Sequence, residues 1–472
     1  MSGVTELAGL TAVEMLEGYA HGELSPVETT QAALSQIRRL DEHVNAWCHL
    51  DEETTLAEAR RSEERWRRGQ PMGVLDGVPT GIKDMFLVRG WPTRKGSRVV
   101  PDTPGSEDAP IVASLRRNGF VPLGMTTTPE FGWKGVTDSL LCGPTNNPWD
   151  PTRTAGGSSG GSAAAVPLGM GPLALGTDAG GSIRIPASFS GLVGHKPTQG
   201  RVPFWPTSAF GALAHPGPMT WTVADTALLM DVLCERDARD TTLPPNATDF
   251  FEAIEGGIQG WRVAFSPTLG YVDVDPEIAR AVADAAQTFA DLGAHVEEVD
   301  PGFPDPREAF NVLFYGGAAN ALRHFDGEQR ARMDPNLIAV AEWAEELSLL
   351  DYLAAQNERG TLIERTSRFH ERYDILLTPC LPITAFATNR EVPEDWAEPR
   401  WPSWTPFTYP FNLTGQPACS VPCGFTRSGL PIGLQVVGAR HRDDRVLRAA
   451  HSYQCARPLT DRRPALFDDD TA

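Results

Sequence analysis

Lysine is scarce in this chain: of 41 basic residues only four are lysines, at positions 83, 95, 134 and 196. A guanidinium keeps its proton at any accessible pH, whereas a buried ammonium can lose its own, so each lysine retained in an arginine-preferring sequence needs a reason. Also missing is any apolar run long enough to cross a bilayer, and the opening MSGVTELAGLTAVEMLEGYAHGELSP has no basic flank leading into an apolar core. A cytoplasmic protein without a membrane partner is expected. No Lys/Arg block offsets the net charge of −20, which argues against a nucleic-acid partner, because phosphate binding needs a cationic surface. The seven cysteines, at 48, 142, 234, 380, 419, 423 and 455, contain no CxxC pair, and no HExxH or comparable cluster occurs. Reduced thiols are expected rather than a disulfide framework, and no metal site.

What is present is enough for a large core: 472 residues, 41% of them hydrophobic. With no internal repeat and no low-complexity linker, one domain spanning 1–472 is the simplest organisation. Residues 1–70 read as helical. Ser25-Pro26-Val27-Glu28 supplies an N-cap, a proline at the first helical position and a glutamate to close a capping box, ahead of an apolar stripe of Val27, Leu34, Ile37 and Leu40. Across 71–220 short apolar runs alternate with Gly, Pro, Thr and Ser, as in buried strands joined by functional loops. The remainder, 221–472, opens with a strand, helix and strand over 261–300, in which Asp275 and Pro276 start the helix and Gly293 lies near its end. Helices follow across 304–375, then a strand at 374–382, an irregular Trp/Pro-rich piece at 391–410, two strands about Ser428-Gly429, and a last helix near 442–455.

Two Gly/Ser-rich stretches dominate the middle: Ala155-Gly156-Gly157-Ser158-Ser159-Gly160-Gly161-Ser162 and Gly176-Thr177-Asp178-Ala179-Gly180-Gly181-Ser182-Ile183-Arg184. Consecutive glycines let a backbone aim several N–H groups at one point, as a developing oxyanion requires. A serine after such a turn can attack a carbonyl, provided a base removes its proton. GVPTGIKDMFLV places Lys83 in an apolar, strand-like run, where desolvation disfavours the charged amine. The competing reading pairs Lys83 with Asp84, and for the glycines it is ordinary tight turns. A phosphate loop is excluded, since neither stretch continues into Gly-Lys-Ser/Thr. Gly157-Ser158-Ser159-Gly160-Gly161 satisfies G-x-S-x-G formally, which would make Ser159 an α/β-hydrolase nucleophile, but NNPWDPTRTA offers no strand ahead of it. The ten histidines are scattered, and His195 is read as supporting a turn.

Taken together, GIKD, GGSSGGSAAA and GTDAGGSIRIPASFSGLVGHKPTQGRV resemble the amidase signature family, with 75 residues from Lys83 to Ser158 and 24 from Ser158 to Ser182. The resemblance extends through LGMTTTPEFG, GPTNNPWDPTRTAGG, GPMTWTVADTALLMDVL and PFNLTGQPACSVPCGFTRSGLPIGLQVVG, and is weakest over 304–405. It implies an α/β fold, the amidase signature fold, in which a large mixed central β-sheet is covered by helices on both faces. It also implies a Ser-cisSer-Lys triad: Ser182 as nucleophile, Ser158 in a cis peptide as relay, and Lys83 as the neutral base. Ala179, Gly180, Gly181 and Ser182 would form the oxyanion hole, with Ser159, Thr177, Asp178 and Arg184 in support. No metal or organic cofactor is implied.

The family also contains a member type that works inside the tRNA-dependent glutamine amidotransferase, as the glutamine-hydrolysing component, and that carries SIRQPA and a YGRVSR-like stretch. Here Ile185 follows the arginine, and the later stretch is QGRVPFWP, both favouring an independent amidase. Trp133, Phe204, Trp205, Trp401 and Trp404, with Phe407, are expected to line an apolar acyl or aryl pocket. The expected substrate is a small-molecule amide, anilide, carbamate or short oligoamide of the kind nylon-oligomer hydrolases cleave. Monomer and homodimer both stay open.

Overall fold

Runs such as VPLGM and LALGT are short, apolar and closed by Gly or Thr, which suits strands covered on both sides. In a computed structural model, which describes residues 3–240, 242 and 248–468, they occupy the interior of a mixed sheet. The strands are β1 (Trp47–Leu50), β2 (Pro79–Lys83), β3 (Val121–Thr126), β4 (Asp138–Ser139), β5 (Gly143–Pro144), β6 (Leu173–Asp178), β7 (Val193–Lys196), β8 (His215–Thr220), β9 (Arg262–Phe265), β10 (His295–Glu298), β11 (Ile375–Pro379), β12 (Ala418–Phe425) and β13 (Pro431–Gly438). β4 and β5 make a small ribbon. The other eleven form one sheet in the order β1-β3-β2-β6-β8-β7-β12-β13-β11-β9-β10. β2 runs parallel to both β3 and β6, and β9 parallel to β10 and β11, while the pairs between them are antiparallel.

Alternation along the strands divides the core between the two faces. Val263, Ile375, Leu377, Cys419 and Val436 point into one cluster, packed by the helices Val223–Leu233, Pro276–Asp291 and Asp443–Ala456. Their neighbours Ala264, Leu376, Ala418 and Val437 point into the other, packed by Arg307–Leu322, Pro335–Glu345 and Leu349–Phe369. The architecture is therefore the large mixed sheet with helices on both faces that the resemblance implied.

Local signals map closely onto this frame. Asp275 caps the helix Pro276–Asp291 by accepting from the Glu277 N–H, and Gly293, at φ 88°, turns the chain into β10. Gly429, at φ 87°, closes the turn between β12 and β13. Three expectations are corrected. The first 70 residues are not wholly helical, because Trp47–Leu50 pairs with β3 as an edge strand. Ser25 caps Pro26–Val44 by accepting from the Val27 N–H at 3.0 Å rather than from that of Glu28, so the capping box with Glu28 does not form, and its hydroxyl donates to Glu63 at 2.5 Å. His195 lies within β7 rather than at a turn, and its Nε2 faces Asp443 at 3.3 Å, tying that strand to the helix Asp443–Ala456.

Candidate active site

The parallel alignment of β2 with β6 sets the site. Both strands are entirely buried, and their carboxyl ends place Lys83 beside Thr177. Lys83 Nζ, fully shielded from solvent, lies 2.8 Å from Thr177 Oγ1, 2.8 Å from Ser158 Oγ and 2.9 Å from Ser159 Oγ. The two serines precede the short helix Gly160–Ala165, and the Gly157–Ser158 peptide is cis. Gly157 is packed against main chain: a Cβ there would sit 2.4 Å from the Val136 carbonyl carbon, which no side chain tolerates. The loop bearing Ser158 is thereby pressed onto the segment that follows Phe131.

Burial pushes the Lys83 amine well below the ordinary lysine range, against the weaker pull of Asp178 and Asp84. Asp84 is not its partner. The Asp84 oxygens accept from the main-chain N–H groups of Arg94 at 2.7 Å and Gly96 at 2.9 Å, and burial raises that carboxyl to about 6. The pairing of Lys83 with Asp84 that the local sequence permits is replaced by three neutral hydroxyls.

Ser182 follows the turn that leaves β6, and its carbonyl accepts from the Ser159 N–H at 3.2 Å, joining the two Gly/Ser stretches. Beneath it Asp178 and Arg184 form a fully buried, two-pronged ion pair, Nε to Oδ2 and Nη2 to Oδ1, each at 3.0 Å. Burial alone would raise the Asp178 carboxyl, but Arg184, Lys196 and Asn412 outweigh it and hold it below the usual carboxylate range. Asp178 also accepts from the Gly181 N–H at 2.8 Å. That N–H, one of the four expected to face an oxyanion, is therefore committed to the loop. Among the described residues the N–H groups of Ala179, Gly180 and Ser182 donate to nothing within the chain.

Three residues outside the expected set complete this network. Asn412 Nδ2 donates to the Asp178 carbonyl and carboxylate, Gln435 Oε1 accepts from Arg184 at 2.7 Å, and the Thr408 hydroxyl donates to the Gly180 carbonyl at 2.6 Å. Two of them stood in the quoted stretch PFNLTGQPACSVPCGFTRSGLPIGLQVVG, so a signal existed, but only the fold shows what they touch.

A cavity of about 420 Å³ opens next to this cluster, walled by Met85, Phe131, Phe204, Phe210 and Phe325. None of Lys83, Ser158 or Ser182 lines it, but its wall residue Met85 approaches Ser158: Met85 Cε and Ser158 Oγ stand 3.8 and 3.3 Å from where a Cβ on Gly132 would be. Of the aromatic residues expected to line a pocket, Phe204 does so. Trp133, Trp401, Trp404 and Phe407 are instead core residues, at most 1% exposed. Trp401 backs the site from below, since a Cβ on Gly180 would lie 2.7 Å from its ring. Trp205 turns away to stack under the Arg239 guanidinium at 5.0 Å. Ser159 is fully buried and no strand leads into it, contrary to the needs of an α/β-hydrolase elbow. Among the described residues, no three His, Cys, Asp or Glu side chains gather as metal ligands, and no helix is long and apolar enough to cross a membrane.

Comparison with known proteins agrees with this geometry. The amidase family model matches residues 28–447. The chain is 38% identical over 465 residues to an acylamidase of Rhodococcus erythropolis, with 97% of each covered. It is 36% identical over 478 residues to the A component of the glutamyl-tRNA(Gln) amidotransferase of Myxococcus xanthus, covering 95% of this chain and 97% of that one. A solved bacterial aryl acylamidase of the amidase signature family superposes with a TM-score of 0.90 at 32% identity, over 97% of this chain and 98% of the other. A family match over residues 28–447, an acylamidase 38% identical along nearly the whole chain and the superposed aryl acylamidase lead to one conclusion: this chain belongs to the amidase signature family and is an amidohydrolase.

Proposed function

We propose that the chain is an independent amidase that cleaves apolar or aryl amides through an acyl-enzyme on Ser182. Lys83 accepts the Ser158 proton, Ser158 accepts that of Ser182, and Ser182 Oγ attacks the amide carbon. The oxyanion is received by the N–H groups of Ala179, Gly180 and Ser182. The proton then returns through Ser158 to the leaving amine, and water releases the acyl group by the same route. Thr177 and Ser159 hold the amine in register, and Asp178 with Arg184 holds the loop. The observation that carries this reading is the Lys83 amine, buried among three hydroxyls with no carboxylate on it.

The substrate class is supported by the cavity, whose walls are chiefly phenylalanine and aliphatic, and by the acylamidase named among the relatives. Exposure to a fluorophosphonate followed by peptide mass spectrometry tests the nucleophile: an adduct on Ser182 is expected, and one on Ser159 alone refutes the scheme. Lys83→Ala, Ser158→Ala and Ser182→Ala should each lower kcat/KM on an anilide panel by at least roughly a hundredfold, as members of one proton chain. The amidotransferase component found among the relatives gives the second reading. Glutamine hydrolysis that appears only with added partner proteins, without anilide turnover by the chain alone, would establish it.

A further inference from the structure

Three of the four lysines have evident partners. Lys83 sits among hydroxyls, Lys196 donates to the carbonyls of Pro197 and Gln416, and Lys134 forms ion pairs with Asp138 at 2.6 Å and Asp334 at 2.9 Å. Among the described residues Lys95 finds neither a hydrogen-bond acceptor for its amine nor an ion pair, and it lines the apolar cavity beside Ser158. We propose that Lys95 forms an anion-recognising subsite in that cavity, receiving a carboxylate carried at the far end of an otherwise apolar amide substrate. This rests on the amidase reading above and narrows its substrate class.

The charge pattern of the cavity is the first support. The chain carries 61 acidic residues, yet among the described residues none lines this cavity, whose only ionisable side chains are Lys95 and His324. The carboxylate that acts on Lys95, Asp84, already accepts from the N–H groups of Arg94 and Gly96. His324, the other ionisable residue of the lining, accepts at Nε2 from the Arg323 Nε at 3.0 Å. The lining therefore holds one cationic side chain and no carboxylate, which favours an anion over a cation.

Placement is the second support. Lys95 takes a left-handed backbone conformation, at φ 53°, and its carbonyl accepts from the Phe131 N–H at 2.8 Å. Its neighbours on both sides are pinned through Asp84, so the main chain that carries the side chain is held in place. The amine is half-buried, and burial moves it below the ordinary lysine range with only Asp84 opposing. A carboxylate entering the cavity would offset that desolvation with its opposite charge and a charge-assisted hydrogen bond. A lysine suits the task, being a compact charge with rotatable donors that meets a carboxylate of variable position.

The test compares ω-carboxyacyl 4-nitroanilides of two lengths, glutaryl and adipoyl, with neutral branched-alkyl isosteres. The wild-type chain should prefer at least one acid by roughly tenfold in kcat/KM, the ratio that one such contact supplies. Lys95→Met should collapse that ratio to about one or below, and Lys95→Arg should preserve a preference. An unchanged ratio in Lys95→Met, or no preference in the wild type while neutral anilides are hydrolysed, overturns the subsite and leaves amide hydrolysis intact. Should no anilide be hydrolysed, the amidase reading falls, and calorimetric binding of adipic acid monoanilide then decides the subsite by itself. Binding lost in Lys95→Met upholds it, and equal binding by both proteins refutes it.

Discussion

An amine among three hydroxyls, with no carboxylate on it, has little to hold its proton. In the proposed role Lys83 would act as a base only when neutral, and burial shifts its protonation toward lower pH than a free lysine would show. Activity should therefore be present above that shifted value and fall as the pH is lowered through it. The pH profile of kcat/KM on a neutral anilide measures this, and a profile with no acid limb, flat until the protein itself unfolds, would remove Lys83 from the role. Lys83, Ser158 and Ser182 were legible as candidates because the family's motifs and spacing name them directly. Thr408, Asn412 and Gln435 were not, since each reaches Asp178, Arg184 or Gly180 across more than 220 residues of chain, and no local pattern encodes such a contact. The tryptophans misled for a related reason: a large ring suits a pocket wall and a core equally, and the buried sides of Trp133, Trp401 and Trp404 are set by distant helices.

Elements here are often joined by one buried polar group. The carboxylate of Asp225, on the helix Val223–Leu233, accepts from the N–H groups of Ala12 at 3.2 Å and Val13 at 3.1 Å, at the start of Ala12–His21. Burial raises this carboxyl from 3.8 to about 7. Between those values the folded chain keeps a proton that the unfolded chain releases, so this group's contribution to stability falls as the pH rises, by up to ~1.4 kcal/mol per pH unit. Asp225→Asn cannot ionise. Its unfolding free energy relative to the wild type should therefore rise between about pH 5 and about pH 8, and a constant offset in denaturant melts would contradict the assignment. The elements themselves were readable wherever caps and periodicity agreed, as at Asp275–Pro276. β1 escaped because its four residues, Trp47–Leu50, become a strand only by pairing with β3.

On the scale of the whole molecule, eleven strands share one sheet and its two faces share every central strand. Neither face can come apart without uncovering the other. We expect heat or denaturant to unfold the chain in one transition, with far-ultraviolet and near-ultraviolet circular dichroism changing together; two separated steps would divide the chain into independent units. The network under Ser182 spans the same distance, from β6 through Thr408 and Asn412 to Gln435 in β13. During synthesis this has a protective effect. A ribosome displays Ser182 long before it has made the props that shape its loop, so in its proposed role as nucleophile this serine would not be competent until almost the last strand has emerged.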